Sequence, residues 1–205
     1  MSKKIVVFDF DGTLSASDAN MEFWKYCFRH SVRPWLFLPA IGVGYLIAKY
    51  QKPSTAVNKT AVLWRELIRC FISKRMIRKL SPVFLREHRA RRFDWATDCI
   101  AREKADGNMA VLVSAGMDYL INPLVSDMGF DVIITSVMNK NIPWKFDFLC
   151  WGDNKVVALN KWAKENNIKY QIIRSYGDSA SDLPIMRLGA QMIWIDRKTG
   201  KRVKK

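Results

Sequence analysis

The sequence is poor in the residues that form most nucleophilic triads and zinc sites. It has only two histidines, His30 and His88, and its four cysteines are widely spaced and form no CxxC pair. Each histidine lies in a basic stretch with helical character, which predicts a surface position for both. Serine–histidine triads and histidine-based zinc sites are therefore disfavoured. Cysteines with this spacing are typical of ordinary apolar residues in a reduced, cytoplasmic setting.

Long apolar segments are also scarce. Lys3 and Lys4 precede only four apolar residues before Asp9, which does not fit a secretory signal. Residues 34–48 form an uncharged stretch of 15 residues, PWLFLPAIGVGYLIA. As a helix this stretch would reach about 22 Å, which is short of the roughly 30 Å hydrocarbon core of a bilayer. A stable transmembrane helix is thus disfavoured, whereas a tilted or interfacial helix fits.

Acidic residues are few, and their scarcity is concentrated in one part of the chain. The net charge is +15, and residues 15–92 contain 16 Lys/Arg against 4 Asp/Glu. Residues 93–195 contain 10 against 12, and the last ten residues contain 6 against 1. A basic surface favours anionic partners, which here are phosphate esters or an acidic lipid surface. Nucleic acid is disfavoured as a partner because no binding motif accompanies the charge.

The remaining pattern is typical of an α/β protein. Apolar residues make up 49% of the chain, which is enough for a sizeable core. Unbroken apolar runs predict parallel strands that are covered on both faces. We expect these strands at residues 3–10, 109–113, 132–135, 170–176 and 192–195. Because helical segments alternate with them, we expect a parallel sheet with helices on both faces.

One long insertion interrupts this alternation. Residues 16–92 have helical character throughout, with Asp18 as the N-cap of the first helix and a break at Pro82. The chain therefore divides into a core, residues 1–15 and 93–205, and a helical insertion, residues 16–92. The polar and basic tail, residues 197–205, is expected to fray.

Polar side chains follow the predicted strands at the points where the strands end. Asp9 and Asp11 follow the first strand, Ser114 follows the second, Asp178 and Asp182 follow the strand near residue 175, and Lys155 opens a helix between them. Ligands of open parallel sheets bind at the carboxyl ends of the strands. We therefore expect these groups to converge on one site.

Four carboxylates in a small volume repel one another unless a cation lies among them. An all-oxygen ligand set selects a hard ion, and Mg²⁺ fits best. A carboxylate can also attack phosphorus and form an aspartyl-phosphate. In this hypothesis Asp9 is the nucleophile, while Asp11 gives a proton to the leaving alcohol and later takes one from water.

Three further residues are candidates for holding the phosphate oxygens. Ser114 and Ala115 would bind them by hydroxyl and amide groups, and Lys155 by its charge. Gly12 and Gly116 have no side chain and would let the backbone approach the phosphate closely. Each feature is common alone, and their combination in this order predicts phosphoryl transfer.

With these residues, the sequence resembles the haloacid dehalogenase-like superfamily. Residues 8–14, FDFDGTL, are similar to its first motif, and residues 111–114, VLVS, are similar to its second. Lys155 is similar to the third motif, and residues 177–182, GDSASD, are similar to the fourth. The resemblance thus covers most of the chain.

The resemblance implies a Rossmann-like core with a helical cap that closes over the site. It implies Mg²⁺ bound by the Asp9 side chain, the Asp11 backbone carbonyl and Asp178, with Asp182 as a supporting acid. It also implies that Asp9 is the nucleophile and Asp11 the acid and base. Asp11 indicates phosphatase chemistry, because the dehalogenase members lack this second Asp.

Residues 16–92 lie where the family carries its cap, which reads the leaving group. They resemble subfamily IB and, within it, the phosphatidylglycerophosphatase C group. The similar features are residues 11–14 (DGTL), Asp18, the apolar stretch 34–48 and the pair Leu63-Trp64. This resemblance implies a membrane lipid phosphate such as phosphatidylglycerophosphate as the substrate. The enzyme would then work at the cytoplasmic face of the membrane, where each flanking Lys or Arg contributes about 1 kcal/mol near anionic headgroups.

Two alternatives stay open. In the first, the chain is a soluble small-molecule phosphatase of the phosphoserine phosphatase type, with Asp18 near the position of a substrate-binding Glu. Residues 34–48 would then pack inside the cap or form an oligomer contact. The glycine-containing cap motif of that type is not evident around residues 64–76. In the second, the chain is a non-catalytic binding protein that keeps the fold, which the complete set of acids disfavours.

Overall fold

The central feature is a sheet of seven strands. The computed structural model describes residues 2–30, 39, 74–139 and 146–204. The strands are β1 (Lys3–Phe8), β2 (Met109–Met117), β3 (Val132–Met138), β4 (Phe146–Phe148), β5 (Tyr170–Gly177), β6 (Gln191–Ile195) and β7 (Arg202–Val203). Their order across the sheet is β4-β3-β2-β1-β5-β6-β7. The pairs from β3 to β6 are parallel, and β7 is antiparallel to β6.

The helices are α1 (Ala19–His30), α2 (Lys74–Arg89), α3 (Trp95–Ala105), α4 (Asp118–Val125), α5 (Asn154–Glu165) and α6 (Leu183–Met186), with a 3₁₀ turn at Ala180–Asp182. Four of them, α3 to α6, cover the two faces of the sheet, as the alternating pattern predicts. Alternate residues of β1 point to opposite faces. Phe8 packs in a cluster with Ile100 of α3 and Leu124 of α4, whereas Val7 packs with Leu159 of α5 and Ile185 of α6. The Rossmann-like α/β prediction is therefore confirmed.

The register of the sheet brings three strand ends together. Phe8, the last residue of β1, pairs with Leu112 on one side and with Tyr176 on the other. The residues that follow each of these positions therefore emerge at the same carboxyl edge of the sheet. This edge is where the polar residues singled out from the sequence lie.

The chain divides into two compact units. The first comprises residues 1–20, 85–137 and 148–205, and the second comprises residues 21–84 and 138–147. Within the second unit, the rings of Phe23 and Tyr26 meet Phe84 edge to face at 5.1 and 5.7 Å. The assignment of residues 16–92 to a cap remains a prediction, and the apolar stretch 34–48 lies outside the described residues apart from Pro39. Among the described residues, no helix is long and apolar enough to cross a bilayer.

Three local expectations are wrong. The helix α2 continues through Pro82, which costs it one backbone hydrogen bond without ending it. His88 is buried, not exposed, and its Nε2 lies 3.3 Å from the Ser17 hydroxyl. The tail does not fray after residue 196, because Arg202 and Val203 pair with β6 as strand β7. In agreement with expectation, Cys27, Cys99 and Cys150 are buried free thiols.

Candidate active site

Acidic side chains gather at the carboxyl edge of the sheet, all within the first unit. Asp9 follows β1, Asp178 follows β5, and Asp182 ends the 3₁₀ turn. One carboxylate oxygen of each lies within 4.8 Å of the others. The structure thus brings together three of the four predicted acids as one cluster.

Lys155 lies between two of these carboxylates. Its Nζ donates to Asp9 Oδ1 and to Asp182 Oδ1, each at 2.6 Å, and only 1% of the side chain is exposed. It lies in the first turn of α5. Burial disfavours the charged ammonium, but the charges of Asp9 and Asp182 outweigh this and raise the pKa of Lys155. Lys155 is therefore a fixed positive charge beneath the cluster.

Asp182 is occupied on both oxygens. While Oδ1 accepts from Lys155, Oδ2 accepts from the Ser179 hydroxyl at 2.8 Å and from the backbone amides of Ser179 at 3.0 Å and Asp178 at 3.3 Å. Burial acts to raise the pKa of Asp182, but Lys155 and these hydrogen bonds lower it. Asp182 therefore stays ionised and holds Lys155 and the fourth-motif loop in place.

Thr13 links the two remaining members of the cluster. Its hydroxyl lies 3.4 Å from Asp9 Oδ2 and 3.3 Å from Asp178 Oδ1. These two oxygens therefore face the same point. The other oxygen of Asp9 accepts from Lys155, and the other oxygen of Asp178 lies beside Arg197.

Asp11 points away from this shared point and caps a helix. Its Oδ1 accepts from the backbone amide of Ala19 at 2.7 Å, which satisfies a free amide at the start of α1. Burial raises the pKa of Asp11 well above the usual range, and the charge of Asp18 adds to the shift. Two residues after Asp18, the Asn20 side chain accepts from the Met117 amide through Oδ1 at 3.5 Å.

The residues after Val113 continue β2 rather than forming a turn. Ser114 is buried, and its Oγ accepts from the Gly116 amide at 3.0 Å, which leaves its hydroxyl hydrogen available for a ligand. The Ala115 carbonyl accepts from the Ser136 hydroxyl at 2.9 Å, and the Cys150 amide donates to that same hydroxyl at 2.9 Å. Ser136 thus ties this strand end to the loop before α5.

The two glycines of the predicted site have different reasons to be glycine. Gly12 has φ +85°, and a Cβ there would lie 2.5 Å from both Asp178 Oδ2 and Arg197 Nε. A Cβ at Gly116 would instead collide with the Ile121 side chain in α4. Packing against Ile121 is thus one reason for glycine at residue 116, and its close approach to phosphate stays a prediction, whereas Gly12 lies against Asp178.

The cluster carries more negative than positive charge. Burial raises the pKa of Asp9 to about 7 and the charge of Asp182 adds to this, although Lys155 opposes it. Burial also raises the pKa of Asp178, again reinforced by Asp182 and opposed by Arg197. Such shifts are typical of carboxylates that share a site without enough counter-charge. The donor set is all oxygen, so it fits a hard divalent cation at the point that Asp9 and Asp178 share.

Sequence reasoning missed three side chains that contact the cluster. Thr13 and Ser179 lie inside the first and fourth motifs. Their hydroxyl groups donate to Asp9 and Asp182, and a hydroxyl is a common donor to a carboxylate. Arg197 Nε lies 3.1 Å from Asp178 Oδ2. It could not be found by composition, because it stands in a basic tail whose fold depends on the pairing of β7.

Comparison with known proteins agrees with this arrangement. Residues 6–187 match the sequence model of a family described as haloacid dehalogenase-like hydrolase. A probable phosphatase of Mycobacterium tuberculosis H37Rv is 27% identical over 97 residues, which are 46% of this chain and 34% of that protein. The matched part of the chain therefore spans about a third of the length of its curated relatives.

Solved structures share the fold at low sequence identity. A protein of unknown function from Bordetella pertussis Tohama I superposes with a TM-score of 0.80 at 16% identity, covering 95% of this chain and 91% of that one. A phosphoserine phosphatase, solved as a phospho-aspartyl intermediate analogue, gives a TM-score of 0.62 at 18% identity, covering 95% and 87%. These similarities show a common α/β architecture.

Proposed function

Because the chain belongs to the haloacid dehalogenase-like hydrolase family, we propose that it is a Mg²⁺-dependent phosphatase with Asp9 as its nucleophile. The observation that carries this proposal is the geometry of Asp9. One of its oxygens is held by Lys155 at 2.6 Å, and the other faces the point it shares with Asp178. The curated relative named as a probable phosphatase supports the same chemistry.

The proposed metal ligands are the side chains of Asp9 and Asp178 and the backbone carbonyl of Asp11. Bound Mg²⁺ would offset the carboxylate charge and polarise the phosphate oxygens. Asp182 supports the site without binding the ion, because both its oxygens already accept hydrogen bonds. This division of roles explains why three acids cluster and only two face the shared point.

In the first step, an Asp9 oxygen attacks phosphorus and the bond from phosphorus to the ester oxygen breaks. Asp11 gives its proton to the departing alkoxide, so that the alcohol leaves neutral. The raised pKa of Asp11, which results from burial, favours the protonated form that this step needs. Before this step Asp11 must turn from the Ala19 amide toward the leaving oxygen.

In the second step, water attacks phosphorus and the bond from phosphorus to the Asp9 oxygen breaks. Asp11, now ionised, takes the proton of this water, and inorganic phosphate leaves while Asp9 returns to a carboxylate. Ser114, Ala115 and Gly12 would hold the equatorial oxygens by hydroxyl and amide groups, and Lys155 would supply charge from beneath. Lys155 also keeps Asp9 in position through both steps.

For the substrate, we propose a membrane lipid phosphate, which the enzyme would meet at an anionic membrane surface on the cytoplasmic side. The support is the excess of 16 Lys/Arg over 4 Asp/Glu in residues 15–92 and the apolar stretch 34–48. The second candidate is a soluble phosphate ester. The fold shared with phosphoserine phosphatase favours this candidate, since that neighbour covers nearly the whole chain.

The deciding experiment is a turnover screen with purified protein, with Mg²⁺ present and after chelation by EDTA. Phosphatidylglycerophosphate in mixed micelles, phosphoserine and small sugar phosphates are the substrates. Turnover of the lipid that disappears with EDTA is the expected result. Efficient turnover of small phosphates with none on lipid would assign the second candidate, and no turnover of any ester would overturn the proposed function.

Flotation with vesicles tests the membrane part separately. We expect the protein to float with vesicles rich in phosphatidylglycerol and to stay at the bottom with purely zwitterionic vesicles, because the attraction is electrostatic. Binding should weaken as salt is raised. Absence from the floated fraction at low salt would contradict a membrane surface as partner.

A further inference from the structure

A hydrogen-bonded turn after β6 positions Arg197 beside the acidic cluster. The Asp196 carboxylate accepts from the amides of Lys198 at 3.1 Å and Thr199 at 2.8 Å, and from the Thr199 hydroxyl at 2.9 Å. The Asp196 amide also donates to the Lys201 carbonyl at 2.8 Å. These bonds close a turn that is continued by the pairing of β7 with β6. The position of residue 197 is therefore fixed from both sides.

From this turn Arg197 reaches Asp178. Its Nε lies 3.1 Å from Asp178 Oδ2, on the side of that carboxylate away from Thr13. Gly12 leaves the space for this pair, because any Cβ at residue 12 would lie 2.5 Å from each of the two atoms. Arg197 is therefore held directly against one acid of the cluster.

The two cations of the site differ in exposure. Lys155 is 1% exposed and both of its carboxylate partners surround it, whereas 55% of the Arg197 side chain is exposed. A guanidinium has five N–H donors in a planar fork that matches two oxygens of a phosphate. Its Nε is anchored on Asp178 while more than half of the side chain stays exposed. Arg197 is thus placed as a cation that an incoming phosphate can meet.

The negative charge of the acidic cluster would repel a phosphate substrate. Three clustered carboxylates face a dianionic substrate, and Lys155 and Arg197 are the cations that contact them among the described residues. Lys155 is committed to Asp9 and Asp182. A second cation beside Asp178 would reduce the repulsion that a phosphate dianion meets on entry.

We propose that Arg197 is a phosphate-binding residue, which anchors on Asp178 through Nε and donates its outer N–H groups to the phosphoryl oxygens of the substrate. This inference rests on the proposed phosphatase function. It adds a residue beyond residue 187, where the match to the family ends, so the role is assigned by the structure of this chain and not by the family pattern.

The test measures binding of inorganic phosphate by calorimetry in the presence of Mg²⁺, for the wild type, Arg197→Gln and Lys198→Gln. Lys198 lies in the same turn, so its variant removes an equal charge one residue away. We expect Arg197→Gln to raise the phosphate Kd about tenfold or more and Lys198→Gln to change it less than about twofold. An unchanged Kd in Arg197→Gln would overturn the proposal.

A titration of Mg²⁺ without phosphate separates ligand binding from a structural effect. We expect Arg197→Gln to bind Mg²⁺ as tightly as the wild type or more tightly, because a cation beside Asp178 has been removed. If phosphate and Mg²⁺ affinities instead fell by the same factor, Arg197 would act by organising Asp178, and the proposal would be overturned.

A second measurement needs no variant. Saturating phosphate with Mg²⁺ should protect Arg197 in the wild-type protein from an arginine-specific dicarbonyl reagent, with modification located by peptide mass spectrometry. Equal modification with and without phosphate would contradict the proposal even if Arg197→Gln failed to fold. Turnover of phosphate esters by the same preparation reports on the proposed function independently, and a wild type that neither turns over esters nor binds phosphate would sink both.

Discussion

Two buried groups of charged residues lie along β5, and they balance their charges differently. The Glu103 cluster consists of Glu103, Asn108, Arg174 and Tyr176. Its one carboxylate accepts from Arg174 at 2.7 and 2.5 Å, from Asn108 at 3.1 Å and from the Tyr176 hydroxyl at 3.3 Å. The buried negative charge therefore meets one guanidinium and a full set of donors.

At the end of the same strand, the candidate active site has carboxylates in excess. Lys155 and Arg197 contact three clustered acids, and burial raises the pKa of Asp9 to about 7. A matched group such as the Glu103 cluster holds helix α3 on the sheet and needs no ligand. An unmatched group is stable only with a further cation or with protonated acids. The comparison predicts that changes in the first group affect stability and changes in the second affect activity.

The largest effect is expected at the nucleophile. Asp9→Asn should lower kcat by about a thousandfold or more, because an amide does not attack phosphorus. The melting temperature should stay at the wild-type value or rise, since Lys155 keeps Asp182 as a partner and one excess charge is removed. Steady-state kinetics and thermal unfolding on the same preparation check both parts. A normal rate in this variant would refute Asp9 as the nucleophile.

The opposite result is expected in the Glu103 cluster. Glu103→Gln should destabilise the fold by about 3 kcal/mol, because Arg174 loses its buried charge partner. At a temperature where the variant is folded, kcat should lie within about twofold of the wild type. Urea unfolding and kinetics measure the two quantities. The control is Glu165→Gln, which removes an exposed carboxylate 3.8 Å from Lys161 and should be nearly neutral. Lost activity in folded Glu103→Gln would break the contrast.

Two glycines with similar backbone angles separate the effect of backbone strain from the effect of a contact with the site. Gly12 and Gly129 have similar positive φ angles, +85° and +79°, but a Cβ meets nothing within 4 Å at Gly129. Gly129→Ala should therefore cost about 1 kcal/mol of stability and leave activity intact. Gly12→Ala should cost about 2 kcal/mol and also reduce kcat, because Asp178 and Arg197 must move apart. Equal activity in the two variants would show that the Gly12 contact is irrelevant to the site.

The smallest effect is expected at an exposed ion pair. Partial burial acts to raise the pKa of Asp127, but hydrogen bonds from Arg92 lower it below its usual range. The stability it contributes is present above the unfolded-state pKa and is lost as the pH falls through the lower folded-state value. Asp127→Asn should cost at most about 1 kcal/mol at pH 7. Unfolding curves of the variant and the wild type should converge at low pH, and a constant difference would contradict the assigned cause.

The strands and the acids could be predicted because both depend on local sequence. An unbroken apolar run such as residues 5–8 has few structural alternatives, and the polar residues after it must emerge at the end of the strand. The convergence of Asp9, Lys155 and Asp178 follows from that topology. Their chemical roles remain proposals.

Features that depend on pairing between distant segments could not be predicted. Arg197 reaches the site only because β7 folds back on β6, and the composition of this tail indicates exposure. His88 looks like a surface residue in a basic helix, yet the structure buries it beside Ser17. Pro82 is a strong helix breaker by itself, but the helix around it extends far enough on both sides to continue.

The most direct test of the central claim is the detection of the covalent intermediate. Asp11→Asn removes both the proposed proton donor of the first step and the proposed base of the second. The substrate is therefore p-nitrophenyl phosphate, whose leaving group needs no protonation, so the aspartyl-phosphate should still form in this variant and accumulate. After acid quench of a single turnover, peptide mass spectrometry should place one phosphoryl group on Asp9, and Asp9→Asn should show none. Turnover of substrate by the wild type with no phosphoryl group on Asp9 in the Asp11→Asn variant, or with the group on another residue, would contradict the mechanism.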